Sequence, residues 1–211
     1  MAFFSIPSHP VAPDIADAFA LAMLSGLMAQ DSSVPLSAEQ ALAQVLTHVP
    51  ALRRRSGQWE RTGRVGAPLQ CAVVLSSACL AGLVQQGAPL EECLLKVDAL
   101  RPSFLEWGER LAEEATPECC AVLLGGVLRG LVIRGATLRE ALQHGRVHGF
   151  TCSEEVKGVH ATAPAGTEDP GVMEAIKAAV QVLATSMAGL VGRGSSVESA
   201  FQELEGQRSL I

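Results

Sequence analysis

Tyrosine is missing from this chain of 211 residues, and aromatic residues of any kind make up only 4%. That scarcity argues against a strand-rich protein, because sheets draw on aromatic and β-branched side chains. Charge is sparse as well, at 18% of residues with a net value of −6. A chain that acidic lacks the Lys and Arg that general nucleic-acid binding uses to neutralise phosphates. The first 52 residues contain no Lys or Arg at all, so the apolar stretch Ala18 to Ala29 lacks the basic flank of a secretory signal, and the mature chain is expected to start near Met1.

Recognisable chemistry is equally scarce. Gly189 to Ser195 reads G-x-x-x-x-G-S and lacks the lysine of a phosphate loop, and neither a dinucleotide fingerprint nor a nucleophile elbow occurs. The five Asp, at 14, 17, 31, 98 and 169, are scattered, and the acid pairs Glu91/Glu92, Glu113/Glu114 and Glu154/Glu155 are sequence neighbours. Neighbouring residues on a helix point ~100° apart, which spoils a shared proton. The six Cys form no CxxC pair and mostly sit within apolar runs, where a thiol behaves as a small hydrophobe. Free thiols imply a reducing, cytoplasmic setting. Cys119 and Cys120 open a helical pattern, yet Glu118 beside them opposes thiolate formation, so core packing is the expectation.

What remains is apolar and small. Hydrophobic residues reach 48%, 20 Gly add to them, and mean hydropathy is +0.28. The composition predicts an all-α fold in a single domain spanning residues 1–211. The longest apolar runs, Cys71 to Val84 and Cys119 to Ile133, fall short of the ~20 residues that cross a bilayer, so no transmembrane segment is expected.

An internal repeat organises this material. Residues 81 to 94, Ala-Gly-Leu-Val-Gln-Gln-Gly-Ala-Pro-Leu-Glu-Glu-Cys-Leu, align without gaps to residues 129 to 142 and 188 to 201. Ser25-Gly26-Leu27-Met28, continuing to Leu36 and Ala41-Leu42, is a fourth copy with two extra residues in its turn. The anchor glycines are Gly26, Gly82, Gly130 and Gly189. Each copy reads as a helical hairpin: an apolar first helix around the anchor, a left-handed Gly (Gly87, Gly135, Gly194) ending it, then a shorter amphipathic helix. Pro89 suits a first helical turn, and Thr137 with Glu140 reads as a capping box. Four residues before each anchor stands another small residue (Ala22, Ala78, Gly126, Thr185), which lets helix backbones approach closely. About eight helices follow, in four hairpins near 14–50, 68–100, 117–145 and 171–206, forming one compact bundle or a short solenoid.

Two connections stand apart. The segment 51–67 is expected to be a basic loop, with Arg53, Arg54, Arg55, Arg61 and Arg64 against Glu60 alone, a local charge of +4 (five minus one), and Trp59 in the middle. Those five arginines and Trp59 are the candidate partner-binding residues, since Arg grips carboxylates bidentately and an aromatic can stack; a linker paired with the protein's own acids is the alternative. Arg-Arg-Arg-Ser at 53 to 56 also resembles a basophilic phosphorylation site. The segment 145–171 reads as a Gly/Pro/acidic loop whose neighbours His144, His148, Cys152 and His160 have the ligand types of a zinc site. Gly145 and Gly149 should interrupt any helix that would align them. Arg101, Pro102, Phe104 and Trp107 read as a turn with a packed aromatic.

The leading expectation is a non-catalytic interaction or adaptor protein, likened to helical-repeat adaptors in architecture only, that self-associates and holds an acidic protein partner without a cofactor. The alternatives are a small all-α metal-dependent enzyme built around 145–171 and a membrane-associated helical bundle.

Overall fold

The computed structural model describes residues 14–31, 35–162 and 170–208, and among them every regular element is a helix. In chain order these are α1 (Ile15–Met28), α2 (Ala38–Glu60), α3 (Ala67–Gln85), α4 (Leu90–Ala99), α5 (Arg101–Leu111), α6 (Pro117–Ile133), α7 (Leu138–Thr162), α8 (Pro170–Gly192) and α9 (Val197–Arg208). α1, α3, α6 and α8 lie side by side, each packed on the next. The others form a second layer, with α2 on α1, α4 and α5 on α3, α7 on α6 and α9 on α8.

Local chemistry sets the helix ends. Asp14 accepts a hydrogen bond from the Ala16 amide, and Ser37 and Gln40 exchange the two bonds of a capping box ahead of α2. Thr137 and Glu140 do the same ahead of α7: the Thr137 amide donates to the Glu140 carboxylate at 2.8 Å, and the Glu140 amide to the Thr137 hydroxyl at 3.3 Å. These bonds hold the exposed Glu140 carboxyl below the usual carboxylate range. At the other end of the first-layer helices, Gly87, Gly135 and Gly194 take φ of 86°, 107° and 108°. Around Gly135 and Gly194 the amide of the following residue reaches back to Leu131 and Leu190, the bonding that closes a helix through a left-handed glycine.

Glycine also fixes how closely the first-layer helices meet. A Cβ at Gly26 would lie 2.6 Å from the Ala81 carbonyl oxygen and 2.6 Å from the Val84 Cβ. At Gly82 the same atom would meet the Arg129 carbonyl and Val132 Cβ at 3.1 Å, and at Gly130 the Val191 Cβ at 2.7 Å and the Ala188 carbonyl at 3.0 Å. Gly126 is pressed on the Ala184 backbone. Two side-chain bonds lace the same contacts, Gln30 Nε2 to the Val84 carbonyl at 2.7 Å and Gln86 Nε2 to the Val132 carbonyl at 2.5 Å.

Three expectations change. The segment 53–60 is helical, not a loop: α2 runs on through Pro50 because Ala41, Val45, Leu52 and Trp59 continue one buried stripe at helical spacing. Residues 145–162 are helical as well. Gly145 and Gly149 do not break α7, because the Trp107 ring packs on both, 3.6 and 3.3 Å from where their Cβ atoms would be, and Cys152 and Val156 carry the buried face onward. The rest of that expected loop, 163–169, lies outside the described residues. Finally, Arg101 to Leu111 forms a helix of its own. The chain bends at Leu100, Pro102 enters the first turn of α5, and Phe104 and Trp107 are buried, so the described residues hold nine helices in place of about eight.

Candidate functional site

Because 53–60 is helical, its arginines are divided among faces of a cylinder. Arg55 points inward and is buried. Its Nε donates to Asp98 Oδ2 at 2.6 Å and its Nη2 to Glu91 Oε1 at 2.8 Å, tying α2 to α4. Burial works against the guanidinium charge, but the bonds to Glu91 and Asp98 and their negative charges outweigh it and raise the Arg55 pKa. The same bond from Arg55 holds the Glu91 carboxyl below its ordinary range. Trp59 is fully enclosed, its ring edge-on to Phe19 at 5.7 Å and 80°. Arg55 and Trp59 are therefore placed in the fold's interior, away from any docking face.

The other four stay at the surface. Arg53 and Arg54 are exposed, and among the described residues neither has a carboxylate within ion-pair distance, although the Arg54 charge acts on Glu91. Arg61 is exposed and donates to the Gly57 carbonyl at 2.8 Å. Arg64, partly exposed, pairs with Glu109 at 2.6 Å. Arg101 joins them, since its Nη1 donates to Gln58 Oε1 at 3.1 Å. Arg54, Gln58 and Arg61 follow i, i+4, i+7 spacing, so with Arg101, which reaches Gln58 from α5, they form a basic ridge along α2. Nothing in the sequence spacing places Arg101 there; it arrives through the fold. Ser56 is buried and donates to Glu60 at 3.2 Å, which removes it from the reach of a kinase.

The histidines separate in a similar way. His144 and His148 stack on one face of α7, 6.4 Å apart between ring centres, and His148 Nε2 lies 3.7 Å from Glu198 Oε1. Cys152 on the next turn is fully buried, and that burial pushes its thiol far up. The buried His160 Nε2 has no hydrogen-bond partner among the described residues. Among those residues no group of three or more His, Cys, Asp or Glu is placed to share an ion.

All six thiols are free and buried. Desolvation pushes Cys71 and Cys79 up to about 12 and Cys93 up to about 11, so none is an activated nucleophile. Cys119 and Cys120 are raised too, by burial first, with Ser153 and Thr116 bonding to Cys120 in the opposite sense. An open cleft of about 420 Å³ between the α1–α2 and α3–α4 turns is lined by Leu27, Gln30, Leu36, Gln44, Pro89 and Leu90, with Gly87 and Ala88. That lining holds no ionisable group for acid–base chemistry.

One cation escaped sequence reasoning. Arg129, inside an apolar run of α6, is half-buried, donates to Gln85 at 3.0 Å and Ser25 at 3.2 Å, and is lowered in pKa by burial. Its Nε has no partner among the described residues. A long interrupting Arg in an apolar run was the available signal. No protein-family model matches the chain, and none of the curated proteins or solved structures compared with it is significantly similar.

Proposed function

We propose that this chain is a non-catalytic interaction protein built from four repeated helical hairpins, which holds an acidic segment of a protein partner along the ridge of Arg54, Arg61 and Arg101, with Arg53 exposed beside it on α2. The hairpin reading draws support from one regularity. Each of the first three anchors faces the residues one before and two after the next anchor: Gly26 faces Ala81 and Val84, Gly82 faces Arg129 and Val132, and Gly130 faces Ala188 and Val191. If the units are equivalent, Gly26→Ala and Gly130→Ala, whose new Cβ atoms would stand 2.6 and 2.7 Å from the next helix, lower the melting temperature by similar amounts. Markedly unequal losses overturn the repeat.

The partner reading rests on the exposed guanidinium groups of Arg53, Arg54 and Arg61 in a chain of net charge −6. Exposed arginines in such a chain attract carboxylates or phosphates, and the attraction is screened by salt. The probe is a labelled Glu-rich peptide followed by fluorescence anisotropy. Binding is expected at low salt, and it should fall at least ~tenfold in the Arg53→Glu/Arg54→Glu/Arg61→Glu variant, each like-charge encounter costing on the order of 1 kcal/mol. Unchanged binding removes the ridge from the function.

Association with a lipid surface is a second reading. α3 and α8 are both long and apolar enough to cross a membrane by length and composition alone, a test that the core helix of a soluble protein also passes. α3 is enclosed between α1 and α6 and owes its apolarity to the core, whereas only 33% of the most apolar window in α8 is buried. Flotation with phosphatidylcholine vesicles tests this, and failure to float excludes it.

A further inference from the structure

From the hairpin repeat proposed above, we infer that the two ends of the helix row bind each other, so that α8 of one copy docks on α1 of a second copy and the molecules associate head to tail. This pairing rests on the exposure of apolar positions at the ends whose counterparts inside the row are covered. Met28 stands two residues after its anchor and is 49% exposed, whereas Val84, Val132 and Val191 at the matching place are fully buried. Leu21, five before Gly26, is 64% exposed, and its counterparts Gly125 and Ala184 are covered by the preceding helix. Counted from the first residue of each second-layer helix (Ala38, Leu90, Leu138 and Val197), which puts four extra residues in the first turn, Leu42 is exposed where Leu94, Leu142 and Phe201 are buried.

The far end shows the complementary face. Val182, seven before Gly189, is 65% exposed, while Phe19, Leu75 and Leu123 at the matching place are buried. Among the described residues, a Cβ at Gly189 would meet only the flexible Arg193 Nη1, at 3.4 Å, although the three earlier anchors are pressed on the following helix. α8 thus presents the side that every other first helix uses on its successor, and α1 presents the side that every other one offers to its predecessor.

Charge agrees with this pairing. The α1 end carries exposed Asp14, Asp17 and Asp31 and no base between residues 14 and 31, while the α8 end carries exposed Arg193. Arg193 stands four after its anchor, where Gln30 and Gln86 donate to the next helix's carbonyl. A second copy is the occupant that supplies both the register and the opposite charge. The contact is heterologous, so it continues into a chain of molecules unless the rotation closes a ring.

Sedimentation velocity of the full chain tests this. Wild type is expected to form a concentration-dependent ladder of oligomers that shrinks as salt rises. Leu21→Asp blocks one end and Val182→Asp the other; each alone stays monomeric, but an equal mixture forms a dimer and nothing larger, through the α8 of the first and the α1 of the second. Arg193→Glu weakens wild-type association at least ~tenfold. Both apolar positions are exposed, and circular dichroism shows whether the variants remain folded. A wild type that is monomeric throughout, a mixture that stays monomeric, or a single variant that still self-associates overturns the proposal, as does capture of α8 by phosphatidylcholine vesicles without self-association. If the Gly26→Ala and Gly130→Ala melts agree while the wild type is monomeric, the repeat stands and the head-to-tail contact alone falls.

Discussion

Gly126 and Gly189 are both helical glycines of the first layer, but one lies inside the row and the other at its end. Gly126 rests on the Ala184 backbone, and a Cβ there would stand 2.8 Å from the Ala184 Cα, closer than such atoms approach. Gly189 has room for a methyl group beside a flexible arginine. The residue type is the same and the constraint is opposite. Glycine inside a helix costs roughly 1 kcal/mol relative to alanine, so at Gly126 the close crossing offsets that loss, while at Gly189 nothing among the described residues does. The arginines of α2 divide similarly: Arg55 is enclosed by two carboxylates and Arg53, two residues earlier, stands in solvent.

The largest test of this contrast is Gly126→Leu. Several atoms must fit where the Ala184 backbone already lies, and overpacking of this kind costs about 3 kcal/mol. For a chain of this size that corresponds to a drop of roughly 6 to 12 °C in Tm. Scanning calorimetry checks it, and a loss below ~1 kcal/mol, under the usual overpacking range, would show that α6 and α8 can separate freely.

Arg55→Met should follow, with a loss of about 1 to 3 kcal/mol, because Asp98 is left partly buried without its cation; the figure sits below that of a fully buried pair since Glu91 is more than half exposed. Arg53→Met should stay within ~0.5 kcal/mol. The pH dependence has a fixed sign. Glu91 has a lowered carboxyl pKa in the folded chain, so its bond to Arg55 contributes stability above the ordinary carboxylate range and loses it as pH falls through the folded value. Urea midpoints at neutral pH and near pH 3 should therefore show the Arg55→Met penalty shrinking in acid. A penalty that grows in acid would mean the pair is not what Arg55 supplies.

These same residues show what the sequence could and could not reveal. The all-helical class was legible because Ala, Leu and Gly dominate and aromatics are few, and the Thr137–Glu140 capping box and left-handed Gly135 were legible because their chemistry is local. The course of 53–60 was not. Arg density and Gly57 suggest a linker, while the stripe through Leu52 and Trp59 that keeps the segment helical gains its meaning only once α1 and α4 cover it. Gly145 and Gly149 misled for the matching reason, since a glycine that breaks an isolated helix survives where Trp107 packs on it. Of the candidate site, Arg53, Arg54 and Arg61 were readable as exposed cations, but the removal of Arg55 and Trp59 to the interior and the arrival of Arg101 depend on tertiary contacts.

Gly189→Ala gives the smallest effect and the sharpest contrast, because the head-to-tail reading gives it opposite signs in two measurements. Among the described residues of the single chain the new methyl group meets only the Arg193 side chain, so alanine should gain the helix preference, about 0.5 to 1 kcal/mol, and raise Tm slightly. In a head-to-tail assembly the same methyl group would stand where Gly26, Gly82 and Gly130 are pressed against the following helix, so association should weaken while the chain itself becomes more stable. Melting in dilute solution, where assembly is absent, and sedimentation in concentrated solution separate the two. Alanine that stabilises the chain and leaves association untouched would place the self-contact elsewhere on the surface. Alanine that destabilises the dilute chain would show that α8 is covered within one molecule, and the distinction between interior and end would then fail at its simplest position.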